Sequence, residues 1–431
     1  MDRQGQADTS ARQREQVPRD APRRTLRFSL AVASYALGSF NENFFKEAAM
    51  LMVVSAGKGY LQGWATVIFT TPYLLLAAAA GWLADRFRKR RVMIGAKVFE
   101  IFAMTGGAVG LLLQNWPLVM ATGALMATQA TVFSPSLNGS IPEVFARRHV
   151  NAANAAVRVC VMAMILAGVG LAGVTLGRSG PDWARGPMDA GLVAAVAIAV
   201  AVMGFLTCLA APNRPAADPG KRFPWSGPAD TVRRLARMRH DPLLALVVVA
   251  DTVVWTMGSL EILVINKLGL VQLGVGPKWT GLMVVAELGG FGIGGLLSGD
   301  VVNKRTGHRR LAPLAAGMAV FLGAVPAVTL LGGEWRLGAM LGLLLGAGFF
   351  GGMVLVPCES FVQIRPPPRQ RGSVIAAANF AIFLGIFFSG PLADLLNDNL
   401  PPTASFGVIG GMALLLSVGL LIGLRRIETA H

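Results

Sequence analysis

The chain has 431 residues, of which 54% are hydrophobic and only 14% charged, and its formal net charge is +16. A water-soluble domain carries about 25% charged residues, so this composition excludes a soluble enzyme with a polar surface. Apolar runs such as 62–83, 187–211 and 404–424 reach the roughly 20 residues that a helix needs to cross a bilayer.

These runs are apolar on every side. A membrane barrel strand would alternate apolar and polar residues over about 10 residues, so the spans read as helices, whose backbone groups are satisfied internally. In chain order, residues 1–27 form a polar, basic tail. The apolar run after it breaks at Asn41-Glu42-Asn43, which argues against a cleaved signal peptide, although Ala31-Val32-Ala33 imitates a cleavage site. Apolar runs and turn signals then predict twelve spans, near 28–55, 62–84, 91–114, 117–137, 150–175, 187–211, 241–270, 279–300, 311–332, 337–357, 371–394 and 404–424. Pro, Gly and charge clusters separate them. Segment 212–240 is polar, carries Pro212, Pro215, Pro219, Pro224 and Pro228, and contains Arg233-Arg234-Leu235-Ala236-Arg237. It predicts a linker with a short amphipathic helix at the membrane surface.

Of the 39 Lys and Arg residues, 30 fall in the tail, the linker and the loops on the same side of the bilayer, and 5 in the opposite loops: Lys58, Arg178, Arg185, Lys278 and Arg336. The positive-inside rule then places both termini in the cytoplasm. The same distribution accounts for most of the basic charge with no nucleic acid. The halves also match each other. Gly38-Ser39-Phe40-Asn41-Glu42 in span 1 parallels Gly258-Ser259-Leu260-Glu261 in span 7, and Gly81 to Arg86 after span 2 parallels Gly299 to Lys304 after span 8. Pro135 closing span 4 parallels Pro357 closing span 10, and Asn154 at the start of span 5 parallels Asn379 in span 11. The offsets run from 218 to 225 residues. The expected architecture is an all-α membrane protein with two pseudo-symmetric six-helix bundles, 28–211 and 241–426, joined by the cytoplasmic linker 212–240 and preceded by the tail 1–27. Parallel six-helix repeats are the major facilitator arrangement.

Charges inside the spans are costly in lipid and point to function. Span 1 carries Asn41, Glu42, Asn43, Lys46 and Glu47; span 3 carries Lys97 and Glu100; span 5 carries Arg158; span 7 carries Asp251, Glu261, Asn266 and Lys267; span 8 carries Glu287. Glu42 and Lys46 are spaced i, i+4 and can pair on one helical face. Lys97 and Lys267 lie near span ends, where long stems can carry the charge to the interface. Asn41, Glu42, Asn43, Lys46, Glu100, Arg158, Asp251, Glu261, Lys267 and Glu287 are therefore the expected lining of a substrate or ion pathway, and the mid-span carboxylates are candidates for proton exchange. No Walker-type phosphate loop, nucleophile–histidine–carboxylate set or metal-ligand spacing occurs, so neither catalysis nor a cofactor or metal is expected. The cysteines Cys160, Cys208 and Cys358 read as packing residues, and the four histidines as solvated.

Gly81-Trp82-Leu83-Ala84-Asp85-Arg86-Phe87-Arg88-Lys89-Arg90-Arg91 resembles the G-x-L-A-D-R-x-G-R-K-x signature of the major facilitator superfamily, with Arg88 in place of the second glycine. The resemblance implies a cytoplasmic gate formed by Gly81, Asp85, Arg86 and Arg90. Gly81 would admit a neighbouring helix, Asp85 would accept hydrogen bonds from a helix N-terminus, and the arginines would pair across the gate. Asn41-Glu42-Asn43-Phe44-Phe45-Lys46 resembles the F-N-D-N-F-F-K signature of the lysophospholipid transporter family, and Lys97-Val98-Phe99-Glu100-Ile101 resembles its span 3. The run Ser134-Pro135-Ser136-Leu137-Asn138-Gly139-Ser140-Ile141-Pro142-Glu143, followed by Asn154 and Arg158, resembles its segment between spans 4 and 5. Glu42 stands where the family usually has Asp. This resemblance implies a lipid flippase of the bacterial inner membrane that carries lysophospholipid, notably lysophosphatidylethanolamine, to the inner leaflet by alternating access. It further implies a separate acyltransferase and acyl-carrier synthetase for reacylation, since neither module is in this chain. The expected form is a monomer. A proton-coupled exporter of amphiphilic drugs and a non-transporting membrane scaffold for a lipid enzyme are the alternatives; neutralising Glu42 separates the scaffold from a transporter.

Overall fold

The structure is a computed structural model that describes residues 21–141, 147–177, 190–213, 215–298, 307–330, 335–367 and 371–429. Among them are twelve long helices and one short one, and no strand. They are α1 (Ala21–Ser55), α2 (Leu61–Arg86), α3 (Lys89–Leu112), α4 (Trp116–Asn138), α5 (Arg147–Leu176), α6 (Ala190–Cys208), the short α7 (Gly227–Arg237), α8 (Pro242–Lys267), α9 (Gly276–Leu297), α10 (Leu311–Ala324), α11 (Trp335–Ile364), α12 (Arg371–Asn399) and α13 (Pro402–Thr429). Ten are long and apolar enough to cross a membrane; the two long helices outside that group are α1 and α4, which carry polar residues such as Asn41, Glu42, Lys46 and Gln129. The chain is a multi-pass membrane protein.

Helix starts follow familiar chemistry. Asn115 caps α4 by accepting the Leu118 N–H, and Asp241 caps α8 by accepting the Leu244 N–H; proline follows each cap at the first or second position, where its missing N–H is no loss. Helix ends depart from the expected spans. Pro135 and Pro357 do not close α4 and α11 but lie inside them, because neighbouring helices tolerate a proline-interrupted turn in a membrane bundle. The counterpart of the gate motif at 299–304, together with Pro142, Glu143, Arg178 and Arg185, lies outside the described residues, as does the tail before Ala21.

The packing repeats itself. α1 packs on α5 and α6, α2 on α4, and α3 on α4 and α6; likewise α8 packs on α12 and α13, α9 on α11, and α10 on α11 and α13. The two sets meet along two seams, α2 against α12 and α5 against α9. Lipid-immersed helices gain little from apolar burial and associate through close packing, and α9 against α11 shows how. A Cβ on Gly290 would lie 2.9 Å from the Leu345 carbonyl carbon, and one on Gly348 would lie 2.9 Å from that of Glu287. Only hydrogen at both positions lets the two backbones approach this closely.

One end of the bundle carries the linker; the other is the far end. Phe44, Leu51, Met104 and Leu176 form an apolar cluster towards the far end of the first set, and Phe28, Met93, Phe133 and Leu137 one towards the linker end. In the second set, the far-end cluster around Leu260, Leu263 and Phe406 also takes in Met50 of α1 and Val169 of α5. The far end is therefore where the two sets pack together.

Candidate functional site

A cavity of about 860 Å³ lies between the two sets and reaches the linker helix, whose Gly227, Pro228 and Thr231 form part of its wall. α1 contributes Ser39, Glu42, Asn43, Lys46, Glu47 and Met50, a run of i, i+3 and i, i+4 positions that a helix presents on one face. Phe69, Tyr73, Trp255, Phe291, Phe380 and Phe383 give the wall an aromatic character. Tyr73 of α2 and Phe383 of α12 stack across the seam with ring centres 4.3 Å apart.

Lys46 does not close on Glu42 as their spacing suggested. Its ammonium stands 5.1 Å from the centre of the Phe69 ring, a cation–π placement. Glu42 and Glu47 both lie within its electrostatic reach, but among the described residues it makes no direct ion pair with either. The wall thus presents one ammonium and two carboxylates side by side. Glu287 of α9 also lines the cavity, while its neighbour Glu261 of α8 is buried behind it. Among the described residues, one oxygen of each has no hydrogen-bond partner, and no cation is among the groups acting on them.

Behind the cavity wall sits a second polar group. Lys97 and Glu100 of α3 are fully buried and paired at 2.6 Å. Asn41 donates to Glu100 Oε1 at 3.3 Å and Gln129 to Oε2 at 3.1 Å. The Lys97 ammonium lies 5.2 Å from the centre of the Phe133 ring. A Cβ on Gly38 would fall 2.6 Å from Lys97 Nζ, so a side chain at residue 38 would push the ammonium from this position. Lys97 therefore does not reach the interface, and Asn41 and Glu100 stand outside the cavity lining.

Arg158 of α5 pairs with Glu359 of α11 at 3.2 Å and so bridges the two sets. Asp251 is buried in α8 with Glu359 acting on it. Lys267 donates to the Asn397 carbonyl in the last turn of α12. Ser134 and Pro135 line the cavity, and the Ser134 hydroxyl oxygen accepts from Tyr35 and Asn138. The side chain of Asn154 lies outside the described residues. Sequence reasoning did not nominate Glu47, Glu359 or the Tyr73–Phe383 stack. Glu359 escaped because Pro357 was read as the end of its span; the stacked rings carry no periodic signal.

The chain matches the Major Facilitator Superfamily over residues 28–390. It belongs to that superfamily. Among curated relatives, the lysophospholipid transporter LplT of Cronobacter sakazakii is 28% identical over 73% of this chain and 74% of that protein. The LplT of Photorhabdus laumondii subsp. laumondii is 25% identical over 82% and 83%, respectively. Among solved structures, a bacterial homologue of the iron transporter ferroportin superposes with a TM-score of 0.68 at 13% identity, covering 93% of this chain and 98% of that one. The xylose transporter XylE from E. coli gives 0.66 at 16% identity, covering 91% and 94%. At such identities the structural likeness speaks for the fold alone.

In this superfamily member the signature after α2 engages the linker. Lys221 pairs with Asp85 at 2.5 Å, and the Asp85 carbonyl accepts the Asp218 N–H at 2.9 Å. Arg86 and Trp82 both donate to the Lys221 carbonyl, at 2.6 and 2.9 Å, and Trp82 meets Phe223 edge-on. Arg90 donates to the Leu209 carbonyl at 2.6 Å. Apart from its chain neighbours and the backbone of its own helix, no described atom lies within 4 Å of where a Gly81 Cβ would stand. Asp85 and Arg86 are thus engaged by the linker and Arg90 by the end of α6, while α7 packs on both α2 and α12 at this end.

Proposed function

We propose that this transporter flips lysophospholipid, of the lysophosphatidylethanolamine kind, to the cytoplasmic leaflet of the bacterial inner membrane by alternating access. One observation carries the reading: the Lys46 ammonium, with no direct ion pair among the described residues, stands beside Glu42 and Glu47 on an otherwise largely apolar cavity wall. A phosphodiester would accept hydrogen bonds from Lys46, the head-group amine would donate to a carboxylate, and the single acyl chain would lie against the aromatic wall. The relatives that bear the lysophospholipid transporter name support the same substrate. On this reading the bundles 28–211 and 241–426 rock about the cavity, both termini face the cytoplasm, the monomer is the working unit, and a separate acyltransferase with an acyl-carrier synthetase consumes the product.

The test is flipping of labelled lysophosphatidylethanolamine in proteoliposomes. The parent chain should exceed empty vesicles, and Lys46→Gln should slow it roughly 10- to 150-fold, the worth of a charged hydrogen bond. A folded parent no faster than empty vesicles contradicts the reading.

A second reading, a proton-coupled exporter of amphiphilic molecules, draws on the adjacent Glu261 and Glu287 carboxyls. It expects Glu287→Gln to abolish export driven by a proton gradient; drug sensitivity that ignores both deletion and overexpression counts against it.

A further inference from the structure

Helices α2 and α12 run antiparallel along one seam, so the N-terminus of each lies beside the last turns of the other. At the far end this contact is intimate. α2 begins at Leu61, which makes the Gly63 N–H one of the donors that no carbonyl of its own helix takes. The Asp394 carboxylate of α12 lies against this residue. It can do so because residue 63 has no side chain: a Cβ there would stand 2.5 Å from Asp394 Cγ and 2.7 Å from Oδ1. One turn earlier on α12, Gly390 presses on the same residue, where a Cβ would fall 3.2 Å from the Gly63 Cα. The carboxylate thus sits on the positive end of the α2 dipole. Beside it, Gln62 of α2 accepts a hydrogen bond from Asn266 of α8 at 3.0 Å, and Lys267 acts on Asp394 while bonding the end of α12.

The linker end of the same seam is arranged differently. Asp85, the acidic residue near the end of α2, is held by Lys221, and α7 lies against both helices there.

We propose that Asp394 is the far-end latch of the transport cycle, holding α2 and α12 together in the state seen here and leaving the N-terminus of α2 when the far end opens. This rests on the alternating-access part of the function above and not on the choice of lipid.

The experiment uses the full chain in proteoliposomes with the exposed Cys160 replaced by serine. Spin labels are placed at Tyr60→Cys and Asn399→Cys, exposed positions at the far ends of α2 and α12. Pulsed distance measurement then reads the ratio of far-end-open to far-end-closed molecules. Asp394→Asn should raise that ratio roughly five- to thirtyfold, the range for a partly buried charge at a helix end. Gly63→Ala, which displaces the carboxylate sterically, should move it the same way. Asp398→Asn, on the exposed side of α12, removes a like charge that acts on Asp394 and should not raise the ratio. The latch is refuted if Asp394→Asn and Gly63→Ala both keep the parent ratio, or if Asp398→Asn raises it equally. Should Asp394→Asn fail to fold, Gly63→Ala decides alone. Lipid flipping measured in the same vesicles separates the two claims, because an unmoved ratio with intact flipping removes the latch and leaves the substrate.

Discussion

Lys97 and Lys46 are ammonium groups on neighbouring walls of the same bundle, and their surroundings give them different work. Lys97 is closed off with Glu100, Asn41, Gln129 and the Phe133 ring. Removing one member of such a buried pair strands the other charge, at a cost of about 3–5 kcal/mol. Lys97→Met should therefore lower the melting temperature in detergent sharply, and adding Glu100→Gln should recover most of the loss. Melting unchanged by Lys97→Met would mean that the cluster contributes nothing to stability. Lys46, by contrast, faces the cavity, so its replacement should cost transport and spare the fold. The bridging pair Arg158–Glu359 is a third case. The Arg158 side chain is 67% exposed, and pairs of that kind contribute about 0–1 kcal/mol. Arg158→Gln should leave melting nearly unmoved. The charged residues themselves were legible in the sequence, since each interrupts an apolar run. Their partners were not. Lys46 turned to Phe69 because α2 offers a ring there, and the Glu100 shell needs residues from α1 and α4 that only packing brings to α3.

Each of the twelve expected spans overlaps a long helix among the described residues, and ten of these are apolar enough to cross a membrane, because an apolar run of about 20 residues leaves the backbone few other choices in lipid. The ends were less legible. α11 passes through Pro357 and continues to Ile364, and α12 runs on to Asn399, since hydrogen bonding within a helix persists past the last apolar residue. Glycine's role was hidden as well, because a sequence shows where glycines are but not which face a neighbour. α11 separates the two kinds. Gly348 meets the Glu287 carbonyl, whereas nothing lies within 4 Å of a Cβ at Gly342. Gly348→Ala should overpack the α9–α11 interface, at a typical cost of about 1–3 kcal/mol, and Gly342→Ala should be neutral or slightly stabilising. Equal melting shifts for the two would contradict the close approach.

The repeated pattern of helix pairings, the sealed far end and a cavity that reaches the linker together describe a transporter caught with one gate closed. Composition and the matches between halves made the fold class readable from the sequence. Which end is closed, and that the gate signature binds the linker through Lys221, were not readable, because they depend on the conformational state. The proposed substrate draws on the cavity wall: an ammonium and two carboxylates suit a zwitterionic head, and the aromatic surface suits a single chain. The most direct measurement is the flipping of labelled lysophosphatidylethanolamine by the purified chain in proteoliposomes, beside its Lys46→Gln and Glu42→Gln variants. The account predicts parent flipping well above empty vesicles and a large loss in both folded variants. Parent flipping equal to empty vesicles, or variants as fast as the parent, would contradict it.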